Sequence, residues 1–96
     1  MDGTYRVSLK TPMGMQTGTF IFHEEGGVLT GFIKAMGSTN PISNGRMNGN
    51  TFTFEGSIKT VFGKLDYKAQ GTISGNTLQA TAKTKFGMMN ISGVQQ

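Results

Sequence analysis

"KAQGTISGNTLQATAK", Lys68 to Lys83, decides the fold. Its first half alternates, with Ala69, Gly71 and Ile73 on one side and Lys68, Gln70, Thr72 and Ser74 on the other. Its second half does the same, with Leu78, Ala80 and Ala82 against Thr77, Gln79, Thr81 and Lys83. A period of two belongs to a half-buried strand, and no helical period fits either half. Between the halves stands Gly75-Asn76, a pair that tolerates the positive φ of a tight hairpin turn. Folding the stretch at that pair sets Ile73 opposite Leu78, Gly71 opposite Ala80 and Ala69 opposite Ala82. Every inward residue then meets an inward residue.

The same construction works elsewhere in the chain. Around Gly26-Gly27, Phe22 faces Gly31 and Phe20 faces Ile33; around Gly49-Asn50, Met47 faces Phe52 and Gly45 faces Phe54. "TYRVSLK" points Tyr5, Val7 and Leu9 inward, and "NTFTFEGSIK" points Phe52, Phe54, Gly56 and Ile58 inward. Midway between these hairpins lies a second set of turns with a repeated wording: "KTPMG" at Lys10, "KAMG" at Lys34, "KTVFG" at Lys59 and "KTKFG" at Lys83. The halves also match each other, Tyr5 with Phe54, Leu9 with Ile58 and Leu29 with Leu78. Pro41 and Asn44 interrupt the pattern in "NPISNG" and imply a bulge.

Eight short strands follow, at roughly 4–11, 15–25, 28–35, 38–48, 51–60, 64–74, 77–84 and 88–94. A half-set would leave its apolar face wet and its edges open, whereas eight antiparallel strands can close and remove the edges. The fold expected is all-β: one domain over residues 1–96, a single eight-stranded antiparallel up-and-down barrel with an internal hairpin repeat. A two-sheet sandwich is the alternative, and the even hairpin spacing favours closure.

With Gly3-Thr4-Tyr5, "GTFIF" and "GGVLTG" in place, the chain resembles in pattern the small calycin-type barrels: lipocalins, fatty-acid-binding proteins and avidins. That resemblance implies a barrel that holds one small molecule. The families' ligands do not transfer residue by residue. There is no tryptophan, and Arg6 and Arg46 fall on the outward parity.

Composition excludes several classes. The chain has no cysteine, hence no disulfide, thiol nucleophile or cysteine-bound metal, and this suits a cytoplasmic location. No apolar run reaches membrane-span length and no leader pattern is expected. The net charge of +4 tilts mildly towards anionic partners. Nucleic acid is not expected, because the aromatics alternate inward rather than outward. His23 with Glu24 and Glu25 is a solvated turn with no second histidine to complete a zinc site. No paired carboxylates and no Ser-His-acid set stand out, so no catalytic residue, metal or cofactor is expected.

An eight-stranded barrel is either just filled by side chains or holds one small ligand. Ala69, Gly71, Ala80 and Ala82 form a small-residue patch facing Phe20, Phe22 and Leu29, with Tyr5 and Tyr67 hydroxyls nearby. The first functional expectation is therefore a non-enzymatic barrel binding an apolar small molecule, anionic or neutral, in a pocket of these nine residues. Its mouth is the lysine end, with Lys10, Met13, Met36, Lys59, Phe62, Lys83 and Phe86, and with Met15, Met88 and Met89 just inside. Alternatively the same tips fold in and plug the barrel, or the end docks on an acidic partner or a membrane. Outside, Ile21 and Phe32 should be cross-strand neighbours flanked by Val28 and Thr19, an exterior pair that implies a homo-oligomer or a partner subunit. An accessory interaction subunit with a solid core is the second reading. A small lyase or isomerase using Tyr5 or Tyr67 as acid is the third.

Overall fold

The computed structural model describes residues 3–11, 14–35, 37–60 and 63–96. Its strands are β1 (Gly3–Thr11), β2 (Gly14–Glu25), β3 (Val28–Ala35), β4 (Ser38–Asn48), β5 (Thr51–Thr60), β6 (Gly63–Ser74), β7 (Thr77–Thr84) and β8 (Gly87–Gln95). Each pairs antiparallel with its sequence neighbour, and β8 returns to β1, so the sheet is a closed up-and-down barrel. Closure leaves no strand edge to solvate or to recruit another chain.

The expected registers hold at Ile73/Leu78, Gly71/Ala80, Ala69/Ala82, Phe22/Gly31, Phe20/Ile33 and Met47/Phe52. One does not. Gly45 was expected opposite Phe54, but β4 carries an extra residue there: Ser43 pairs with Glu55 and Arg46 with Thr53. Asn44 and Gly45 together span the position of Phe54, and Asn44 takes a φ of 53°. The bulge resets the parity of β4, so that Asn40 and Ile42 face inward before it and Gly45 and Met47 after it. Glu55 accepts a 2.6 Å hydrogen bond from the Asn44 amide, which ties the bulge to β5.

The interior is a ring cluster with aliphatic caps. Phe22 lies 5.4–6.2 Å, centroid to centroid, from Phe20, Phe52, Phe54 and Tyr5, and Tyr67 closes on Phe54 at 5.9 Å. Edge and tilted contacts of this kind add to the burial of large apolar area. Val7, Leu9, Leu29, Ile33, Ile58, Leu78, Met89 and Ile91 complete the core. Asn40 is its one buried polar side chain among the described residues. It accepts from the Lys59 amide at 3.2 Å and donates to Ser38 Oγ at 3.0 Å, while Ser38 Oγ donates to the Lys59 carbonyl. These bonds bridge β4 to β5 beyond Ile42/Gly56, where their paired ladder stops.

Candidate binding surfaces

The residues expected to line a pocket converge. Tyr5, Phe20, Phe22, Leu29, Tyr67, Ala69, Ala80 and Ala82 are all buried inside the barrel, with Gly71 beside them. They meet one another rather than a cavity. The void between Leu9, Phe20, Phe54, Tyr67, Ala82 and Met89 measures about 10 Å³. That is at the lower limit for a single water. The small-residue patch is covered by its own strand neighbours instead: a methyl group on Gly71 would sit 2.6 Å from Ala80 and 2.7 Å from the Phe52 ring. The concavity appears on the other side of this wall. A shallow, solvent-open groove of about 600 Å³ runs over the outside of β5–β8, lined by Thr51, Thr53, Gln70, Thr72, Gln79, Thr81 and Asn90.

One interior atom is out of balance. The Tyr67 hydroxyl is buried and has no hydrogen-bond partner in the protein. Burial pushes its phenol, and that of Tyr5, above the usual value of 10.0, so both stay protonated through the neutral range.

At the lysine end, Thr11 pairs with Gly14, Thr60 with Gly63 and Thr84 with Gly87, with two residues between the members of each pair. Gly14, Gly63 and Gly87 have φ of 104°, 112° and 110°, a region closed to most side chains. Thr84 Oγ accepts from the Phe86 amide and donates to the Gly87 carbonyl, both at 3.0 Å. The recurring threonine and glycine are thus turn chemistry. The recurring lysine and apolar residue are not. Lys10, Lys34, Lys59, Lys64, Lys83 and Lys85 are all exposed around this end. Phe86 is 66% exposed, with Lys85 Nζ 5.3 Å from its ring centre, so it neither plugs the barrel nor lines an interior. Met15 and Met88, expected just inside, are 64% and 58% exposed on the outer face, where they pair with Lys10 and Lys83; only Met89 points in. The parity of β2 and β8 explains this, because Met15 shares a face with Thr17 and Met88 with Asn90. Met13, Met36 and Phe62 lie outside the described residues.

Ile21 and Phe32 are cross-strand neighbours on the exterior, as expected, and Phe32 also pairs with Pro41 on β4. Phe32 is 48% exposed and Ile21 is half-buried. Towards the Gly26 hairpin this row meets exposed His23 and Glu25, 3.7 Å apart, and towards the other end Lys34 and Arg6. No group of three or more His, Cys, Asp or Glu side chains is placed to hold a metal among the described residues. None of those residues forms a helix long and apolar enough to cross a membrane.

No protein-family model, curated protein or solved structure matches this chain.

Proposed function

We propose that this barrel is a non-enzymatic interaction module whose core is solid and whose partners bind its outer surface. The observation that carries the reading is the interior: six aromatic rings join in one cluster, and the void that Phe20, Phe54 and Tyr67 help to line measures about 10 Å³. A drug-sized apolar ligand needs a cavity of some hundreds of Å³ (roughly 300–1,000), so admitting one requires the ring cluster to move apart. Titration with the uncharged dye N-phenylnaphthylamine tests this. The expected result is no saturable emission increase; stoichiometric uptake would overturn it.

The exterior row Ile21–Phe32–Pro41 is the proposed contact with a second copy. Its apolar centre is rimmed by Glu25 and Arg46 on either side of Val28 at one end and by Lys34 and Arg6 at the other, so two copies running in opposite directions can set each Glu25 against Lys34 or Arg6 of the second copy. Phe32→Lys should leave the fold intact and reduce the mass in solution to that of one chain. A wild type that is already monomeric at high concentration removes the contact.

A second reading rests on Tyr67. Its unpartnered hydroxyl beside the small void favours a barrel that opens to take one small apolar molecule bearing an acceptor for that hydroxyl. The pattern likeness to calycin-type barrels points the same way. The dye titration separates the two readings, because only the second gives interior uptake, and an Ala80→Phe substitution would then abolish it.

A further inference from the structure

The lysine end carries a surface that turn chemistry leaves unexplained. In "KTKFG" the threonine clasps the turn and the glycine supplies its positive φ, while Lys83 and Phe86 point into solvent. The cations form a ring rather than a stripe. Lys10 is on β1, Lys34 on β3, Lys59 on β5, Lys64 on β6 and Lys83 on β7, with Lys85 in the turn after it. Carboxylates are scarce there. Asp66 is held by a hydrogen bond from Ser57 and Glu55 by one from Asn44, and Glu24 and Glu25 belong to the opposite end. Beside these lysines stand the most exposed large apolar side chains of the described residues: Phe86 in the turn next to Lys85, and Met15 and Met88 on the outer face opposite Lys10 and Lys83.

We infer that this end docks on an anionic lipid bilayer. The inference rests on the outer-surface reading above and names the partner of one face. Two geometric features select a bilayer over a soluble polyanion. Cations on five strands around one end of a cylinder about 22 Å across can all be engaged together only by a plane. A strand of nucleic acid or an acidic peptide would follow one side. Phosphate charge also gives no role to exposed methionines and a phenylalanine, whereas the headgroup–acyl boundary of a membrane takes both charges and apolar tips. Lysines near an anionic leaflet each strengthen binding about fivefold, and one inserted phenylalanine adds roughly tenfold or more. The long lysine stems can lie along the apolar tips while their ammonium groups reach the headgroups.

The test is flotation of the whole chain with phosphatidylcholine vesicles and with vesicles that also contain phosphatidylserine. The expected result is binding to the second kind only, released by added salt as the Debye length shrinks. Lys83→Glu combined with Lys85→Glu should weaken binding by about 25-fold or more, and Phe86→Ser by roughly tenfold, with melting temperatures close to the wild type because all three sites are exposed. Three outcomes overturn the inference: no binding to the anionic vesicles, equal binding to neutral ones, or retention on heparin that matches vesicle binding and ignores Phe86→Ser. The last would make the end a charge-only site for soluble polyanions. Failure here leaves the solid-core reading standing, since that reading falls only to interior dye uptake, which vesicle flotation does not measure.

Discussion

At one end of the barrel the chain reverses through Gly26-Gly27, Gly49-Asn50 and Gly75-Asn76; at the other it reverses after Thr11, Ala35, Thr60 and Thr84. The first set is minimal. Gly26 and Gly27 both have positive φ, the pattern of a type I′ turn, while Gly49 and Gly75 have it alone, the pattern of type II′. Charges there are mixed, Glu24 and Glu25 against Arg46, and the exposed apolar residues are the small valines Val28 and Val94. The second set is chemically one-sided, with lysine at every turn and Phe86, Met15 and Met88 in the open. Both ends meet the same structural demand, a two-residue reversal in a twisted sheet. The glycine end shows that the demand needs no lysine ring and no large exposed hydrophobe. What the lysine end adds is therefore surface, not fold.

That comparison can be broken in several places. Both ends hang on the same ring cluster, so the largest effect should come from its middle. Phe54 touches Phe20, Phe22, Phe52 and Tyr67. Phe54→Ala should lower stability by about 3–5 kcal/mol, read from the urea midpoint, because the closed wall cannot collapse into the space. A loss below ~1 kcal/mol would mean the centre is already loose and the solid-core reading is wrong. Next come the ends themselves. Gly75→Val puts a β-branched residue at a φ of 60° and should cost about 1–3 kcal/mol. Phe86→Ser at the opposite turn should stay within about 0.5 kcal/mol of wild type. Equal losses at the two sites would erase the distinction between a structural end and a display end.

How far the residues themselves foretold this differs by strand. β6 and β7 were legible to the residue, because strict alternation around Gly75-Asn76 admits one register. β4 was only half legible. "NPISNG" announced an irregularity, but whether Pro41 or Asn44 absorbs the extra residue depends on φ and on the Glu55 bond, neither of which a pattern contains. Asn40 falls within the expected fourth strand, but its burial as a bridge to β5 could not be read, since that role depends on where the ladder to that strand ends. Parity tells which side chains of the candidate pocket point inward, and not how tightly they pack, as the neighbours Phe52 and Ala80 do over Gly71. Met15 and Met88, by contrast, could have been placed outside from parity alone.

Tyr67 gives the next effect in size. A buried hydroxyl without a partner is destabilising by about 1–3 kcal/mol, so Tyr67→Phe should raise stability by about 1 kcal/mol. Its folded phenol holds its proton more tightly than the unfolded one, whose value stays near 10.0. Stability is then fully present below pH ~10 and falls above it by about 1.4 kcal/mol per pH unit as only the unfolded chain ionises. Tyr67→Phe should flatten that alkaline decline, leaving the smaller share due to Tyr5. A variant less stable than wild type at neutral pH would mean the hydroxyl finds a partner inside the barrel, which removes the ground of the ligand-binding reading.

The smallest effect sharpens the contrast most directly. Lys59 and Lys64 face each other across β5 and β6, and Lys68 faces Lys83 across β6 and β7. Like charges directly opposite oppose sheet formation, by a few tenths of a kcal/mol up to ~1 for a pair. At the glycine end no such pair occurs among the described residues; Val28 stands between Glu25 and Arg46. A fold selected for stability alone would not oppose lysines twice on three neighbouring strands. Lys59→Glu should therefore stabilise the barrel slightly at low ionic strength, with the gain shrinking as salt screens it. The same substitution should weaken binding to anionic vesicles. Gain in one measurement and loss in the other is what a surface kept for its partner predicts, and a variant that loses in both would return the lysines to the fold.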